Sequence, residues 1–179
     1  MRLKELYKKE IISELKKHFS IKNPFLVPKV QKVVVNVGFG RFAKEKAYIE
    51  EVVKILTKIT GQKVVLTKAK KSISSFKIRE GMTIGAMSTL RGNRMYDFLD
   101  KLVNLTFPRV RDFRGLSEKS IDKTGNFTIG IKEIASFSEV KPEDVTNNFG
   151  LEVCIATTAK KREEAVELFR LMGFPFKKN

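Results

Sequence analysis

At 179 residues the chain is long enough for one cored domain and short for two. Hydrophobic residues make up 42%, and 36 Lys and Arg against 20 Asp and Glu give a formal net charge of +16. That balance excludes a disordered basic tail and implies a folded body with a cationic surface suited to a polyanion. No window approaches the ~20 consecutive apolar residues of a membrane span, and the amphipathic, acid-containing N-terminus lacks the apolar centre of a signal peptide.

Leu3, Leu6, Tyr7, Ile11, Leu15 and Phe19 recur every three or four positions, which predicts an amphipathic helix over residues 1–20. Asn23-Pro24 and Val27-Pro28 break it. Val30 to Val37 is β-branched and apolar, a buried strand ending at Gly38-Phe-Gly40. Tyr48, Val52, Val53, Leu56 and Ile59 predict a second helix, stopped by Gly61 as its C-cap. Val64 to Thr67 and Thr83 to Leu90 read as strands on either side of a basic loop, residues 68–82.

Asn93 is the predicted cap of a third helix with inner residues Met95, Phe98, Leu99, Leu102 and Val103, ended by Pro108. An irregular stretch follows, Arg109-Val-Arg-Asp-Phe-Arg-Gly115, and then a polar turn through Gly125-Asn126. Phe127 to Ile131 and Leu151 to Thr158 supply two more strands. Glu163 and Glu164 open a last helix that buries Ala165, Leu168, Phe169 and Met172. Only the first strand-helix-strand unit suits a parallel crossover. The expected fold is therefore one α+β domain over 1–179, with a mostly antiparallel five-stranded sheet, helices packed on one face and a long basic inter-strand loop.

Between Gly61 and Arg94 stand Lys63, Lys68, Lys70, Lys71, Lys77, Arg79, Arg91 and Arg94 against a single acid, Glu80. Each cation that neutralises a phosphate releases condensed counterions, so this stretch suits RNA. Ser72, Ser74 and Ser75 add neutral phosphate donors, and Phe76 adds a stacking surface. The alternative is a mobile, solvated hairpin loop. Likewise Arg109, Arg111 and Arg114 surround Asp112 and fit either phosphate contact or an internal Arg–Asp network. Asn36 is a polar amide in an apolar strand, either satisfied within the sheet or presented to a ligand.

The catalytic inventory is thin. Gly38-Phe-Gly40-Arg-Phe-Ala43 matches G-x-G-x-x-A, but Lys68 stands where the dinucleotide fingerprint expects an acid, and no second crossover helix follows. The plain reading is a tight turn whose glycines admit positive φ. His18 is the one histidine, near the end of a Lys-rich helix, and Cys154 is the one cysteine, placed in the core of a reducing compartment by its apolar neighbours. A Cys/His metal site is remote, and no Ser, His and acid fall into a triad. Neither a cofactor nor a small-molecule substrate is expected.

Taken in order, a series of short motifs resembles the bacterial-type ribosomal protein L-five family of the large subunit. These are Thr60-Gly-Gln62, Thr67-Lys-Ala-Lys-Lys-Ser72, Phe76-Lys-Ile-Arg79-x-Gly81, Thr89-Leu-Arg-Gly92-x-Arg-Met95, Pro108-Arg-Val-Arg-Asp-Phe-Arg-Gly-Leu-Ser117, Gly125-Asn126 and Thr157-Thr-Ala-Lys160. The match runs from Leu6 to Phe176. The resemblance implies a non-enzymatic, cytoplasmic protein of the ribosome's central protuberance, with 5S rRNA, large-subunit rRNA, the peptidyl-site tRNA and a small-subunit head protein as partners. It assigns 5S rRNA binding to Asn36, Gln62, Lys63, Thr89 and Arg91. It makes the loop with Lys70, Lys71, Ser72, Ser75, Phe76, Lys77 and Arg79 the tRNA-facing element. Arg109, Arg111 and Arg114 become further rRNA or bridge contacts, and the region 133–150 becomes part of the intersubunit bridge. The chain departs from the family pattern at Val64, Met87-Ser88, Ala135-Ser136 and Asn147-Asn148. A free RNA-binding module or chaperone, and a nucleotide-dependent enzyme, are the other two function classes.

Overall fold

The computed structural model describes residues 2–177 apart from 142, 144 and 146. Five strands, β1 (Val30–Gly38), β2 (Val65–Lys68), β3 (Thr83–Leu90), β4 (Phe127–Ile131) and β5 (Leu151–Thr157), form one sheet in the order β2-β3-β1-β5-β4. The sheet is antiparallel. The expected α+β architecture is the one observed. By compactness the chain falls into two units, one of residues 1–33, 91–129 and 154–179, the other of 34–90 and 130–153.

In the first unit the N-terminal helix runs through α1 (Leu3–Leu6), a π turn (Tyr7–Ile11) and α2 (Ile12–His18). Its buried positions, Leu3, Tyr7, Ile11 and Leu15, recur every four residues. At about 3.6 residues per turn such a stripe drifts around a regular helix, and one wider turn takes up the drift. The Tyr7 hydroxyl donates to the Pro28 carbonyl at 3.0 Å, and burial, with Tyr96 beside it, raises the phenol pKa.

The next helix of this unit differs from expectation at its start. Arg91, not Asn93, is the N-cap of α4 (Gly92–Lys101); Asn93 lies inside the first turn, where its side-chain oxygen accepts from the Lys4 ammonium. The helix then passes through a π turn (Leu102–Thr106) into α5 (Phe107–Arg109) and ends one residue after Pro108, with Val110 extended, as expected. The proline falls in the last turn of this continuous helix, where its missing N–H cannot continue the ladder. α6 (Arg162–Leu171) buries Ala165, Leu168 and Phe169 as expected, and Glu164 accepts from the Lys160 N–H at 3.0 Å. Phe127, Phe169 and Phe174 pack ring to ring with centroids 5.0–6.0 Å apart, and Phe107 meets Phe174 at 6.1 Å. These phenyl rings are the centre of the unit's core.

In the second unit α3 (Lys46–Thr60) buries Tyr48, Val52, Ile55, Leu56 and Ile59 and packs on β3. Gly61 ends it in the left-handed region at φ 63°, its N–H bonded to the Thr57 carbonyl at 2.9 Å, the expected C-cap. Tyr48 gathers Phe39, Phe42 and Phe149 at 4.8–6.4 Å. The Gly38–Gly40 turn is a correction. Neither glycine has positive φ, and Gly40 begins a short 3-10 turn, Gly40–Phe42. Cys154 is another: it is half-buried, because its position in β5 faces away from the fully buried Val153 and Ile155.

Candidate nucleic-acid interface

Strand alternation decides which side chains leave the core. On β1, Val33, Val35 and Val37 are fully buried, so Val34 and Asn36 lie on the other face, half-buried. On the neighbouring β3, Ala86, Ser88 and Leu90 are buried, and Met87 and Thr89 take the open face. The antiparallel register Val65↔Met87 and Thr67↔Gly85 brings β2 into the same face. A Cβ at Gly85 would stand 2.6 Å from the Thr67 hydroxyl and 3.0 Å from the Val37 carbonyl, so only glycine fits there. The outcome is an open face carrying Asn36, Thr67 and Thr89 among Val34, Val65 and Met87. Among the described residues the half-buried Asn36 amide has no hydrogen-bond partner, so it is not satisfied within the sheet.

Gln62 joins this face through the end of α3. The Thr60 hydroxyl bonds to the Leu56 carbonyl (2.7 Å) and the Gln62 carbonyl (3.3 Å), and Gly61 reverses the chain. The Gln62 amide then donates to the backbone carbonyl of Thr89 at 3.0 Å. Its nitrogen therefore holds β3, while its oxygen remains an acceptor. Lys63 is exposed one residue on. Arg91, also exposed, follows β3 by one residue.

The 68–82 loop is a bonded structure of its own. Ala69 exchanges backbone hydrogen bonds with Met82 (2.8 Å) and Gly81 (2.9 Å), and Ile73 and Ile78 exchange a pair at 2.9 and 3.1 Å. The Ser72 hydroxyl accepts from the Glu80 N–H at 2.9 Å. At the tip, Ser74–Phe76 form a 3-10 turn closed by Lys77 at φ 54°. This scaffold leaves Phe76 70% exposed and Ile73 44% exposed, with Lys70, Lys71, Ser75, Lys77 and Arg79 also outside. A phenyl ring so exposed gains nothing from the fold and suits stacking on a partner.

In the first unit, Arg109, Arg111 and Arg114 are exposed on a stretch anchored at both ends. Phe113 stacks on Phe107 (5.3 Å, 11°). Leu116 exchanges backbone bonds with Pro175 (2.7 Å) and Lys177 (2.9 Å). Asp112 stands at φ 51° and makes no ion pair with the three arginines among the described residues, so the internal Arg–Asp network is absent and the guanidinium groups face solvent. Within the 133–150 region, Pro142, Asp144 and Thr146 lie outside the described residues. His18, at the exposed end of α2, meets the Phe19 ring edge-on at 4.6 Å. No group of His, Cys, Asp and Glu among the described residues is placed to hold a metal.

Residues 23–79 match the family model described as Ribosomal protein L5, and residues 83–176 match the model of that ribosomal family's C-terminus. The chain is 53% identical over 174 residues to the large ribosomal subunit protein uL5 of Halothermothrix orenii, covering 97% of each chain. It is 51% identical to the uL5 of Fervidobacterium nodosum, covering 98% of this chain and 96% of that one. With the uL5 of Desulforapulum autotrophicum the identity is also 51%, over 98% of each. This chain belongs to the ribosomal protein L5 family.

Its members are structural proteins of the large ribosomal subunit, so the chain is a ribosomal constituent of the cytoplasm and not an enzyme. For an L5-family sheet, the open face also contains residues that sequence reasoning passed over. Val34, Val65 and Met87 form its apolar part, and Gly38 and Gly130 stand on exposed backbone at its margin. The run of β-branched residues in β1 hid the first of these, since an unbroken apolar strand shows no alternation. No residue-level signal marks the glycines, because their meaning depends on which strands lie beside them.

Proposed function

We propose that the open sheet face of the second unit binds 5S rRNA, using Asn36, Gln62 and Thr89 as uncharged hydrogen-bonding groups and Lys63 as a phosphate partner, and that Arg91, in the first unit, is a further phosphate partner. One observation carries this reading: neutral amides and hydroxyls share a half-buried, partly apolar face, and the Asn36 amide has no internal partner among the described residues. Such a face suits 2′-hydroxyls and riboses of a folded RNA, where shape is read in a water-poor contact, while nearby cations supply salt-dependent affinity. The bonded loop with Lys70, Lys71, Ser72, Ser75, Phe76, Lys77 and Arg79 then reaches the peptidyl-site tRNA. Arg109, Arg111 and Arg114 serve large-subunit rRNA or, with the region 133–150, the bridge to a small-subunit head protein. The whole chain, 1–179, acts as one rRNA-binding domain. Filter binding of a 5S rRNA transcript tests the central assignment: Asn36→Ala and Thr89→Ala each weaken binding by about 1–3 kcal/mol, from an RNA group left unpaired. Unchanged affinity in both variants refutes it.

A further inference from the structure

Between the N-terminal helix and β1, within the first unit, the chain makes a 3-10 turn, Pro24–Leu26. Phe25 at its tip is 89% exposed, more than any other large apolar side chain among the described residues, and Leu26 beside it is 63% exposed. A single exposed apolar residue is ordinary, but these two are adjacent and the backbone beneath them is fixed. Pro24 presets the turn. The Asn23 side-chain oxygen accepts from the Phe25 N–H at 2.9 Å, and the Leu26 N–H donates to the Asn23 carbonyl at 3.1 Å. On the far side Val27 and Pro28 are buried, and the Pro28 carbonyl accepts from the Tyr7 hydroxyl. The Lys29 N–H donates to the Thr158 hydroxyl at 2.9 Å, and the Thr158 N–H donates back to the Lys29 carbonyl at 2.9 Å. The fold thus holds a phenyl ring and an isobutyl group out in water, on a turn with little freedom left to lose on binding.

The surroundings select the partner. From Leu15 to Val33 the chain carries five lysines and no acid. Lys22 and Lys29 flank the turn and are exposed, and exposed Lys160 and Lys161 follow Thr158, the partner of Lys29. A hydrocarbon tip among ammonium groups matches a polyanion that also offers flat apolar faces. An RNA with unstacked bases has both, and the chain's place in the large ribosomal subunit supplies RNA. We propose that the Pro24–Leu26 turn is a separate RNA contact, in which Phe25 stacks on an unpaired base or an exposed helix end. Leu26 covers the adjoining ribose, and Lys22 and Lys29 reach the flanking phosphates. The interior of a duplex does not suit this tip, because the A-form major groove is too narrow for side chains and paired bases hide their faces. The contact uses no residue of the open sheet face and stands without that assignment.

The test uses the full chain and two probes, a 5S rRNA transcript and a large-subunit rRNA transcript, in filter binding at fixed salt. Phe25→Ala weakens binding to one of them about tenfold, and Phe25→Trp, which keeps a stacking ring, stays within about twofold of the parent. The transcript that responds identifies the source of the base. Both variants keep the parent's thermal midpoint, since a ring so exposed adds nothing to the fold. In assembled large subunits, Phe25→p-benzoylphenylalanine cross-links on irradiation to rRNA. Parent-like affinity of Phe25→Ala for both transcripts, or a cross-link to a protein in place of rRNA, overturns the proposal. Weakened 5S binding by Asn36→Ala beside parent-like Phe25→Ala overturns it while leaving the sheet-face reading standing; the reverse pattern overturns that reading and leaves the turn's contact in place.

Discussion

Gln62 and Asn36 are both uncharged amides on the open face, yet the fold uses them differently, and that difference is measurable. The Gln62 amide donates to the Thr89 carbonyl at 3.0 Å in a half-buried setting. Gln62→Ala removes this bond, for a net loss of folding stability of about 0.5–1.5 kcal/mol. It also frees the loop after α3 and removes the acceptor offered to RNA, leaving an RNA donor unpaired at a further cost of about 1–3 kcal/mol in affinity, roughly five- to 150-fold. Asn36 has no internal partner among the described residues, so Asn36→Ala lowers affinity by a similar amount but leaves stability within about 0.5 kcal/mol. Urea denaturation measures the first quantity and filter binding of a 5S transcript at fixed salt the second. Gln62→Ala with parent stability refutes the bracing role. Asn36→Ala destabilised by more than about 1 kcal/mol refutes the outward placement of that amide.

Other outcomes follow from single features. Ser88 is buried on β3 at 1% exposure, and its hydroxyl has no partner among the described residues; Ser88→Val removes this burden, raises stability by about 1–2 kcal/mol in denaturant melts and leaves RNA affinity unchanged. Asp122 accepts from the N–H groups and side chains of Thr124 and Asn126 at 2.7–2.9 Å. Partial desolvation pushes its pKa up, but these bonds outweigh it and hold the carboxyl below its ordinary value. A depressed folded-state pKa contributes stability above the unfolded value, about 4, and loses it as pH falls through the folded one. The melting-temperature gap between parent and Asp122→Ala is therefore full at about pH 6 and closes in stronger acid. Lys71→Ala and Lys77→Ala leave isolated 5S binding within about twofold, because they stand on the 68–82 loop, and weaken protection of the peptidyl-site tRNA elbow in assembled ribosomes; a large loss of 5S affinity in either variant refutes this division of labour.

The elements legible in the chain are those whose signals are local. The 3.6-residue periodicity of α3, its Gly61 cap, the acid-led start of α6 and the β-branched run of β1 all reflect interactions between residues a few positions apart. Asn93 misled because a good capping residue caps only if the helix starts there, and the chain enters α4 just before it, with Asn93 bonded to Lys4 across the first unit. Pro108 did mark the end of that helix, because a residue without an N–H cannot continue the ladder, and the chain leaves the helix after Arg109. The left-handed geometry expected at Gly38 and Gly40 is absent because Gly38 is still part of strand β1, and Gly40 starts a 3-10 turn.

Charge, class and family could be read from residue types in order, since net charge is a sum and motifs are short strings. The placement of function could not. Which of Val33, Val34, Val35 and Asn36 faces outward depends on strand pairing, and pairing joins residues dozens of positions apart. Packing alone set Gln62 against Thr89, left Arg109, Arg111 and Arg114 without an acidic partner among the described residues, and left two glycines facing open space. A linear code specifies what each group can do; long-range contacts specify which groups are left free to do it.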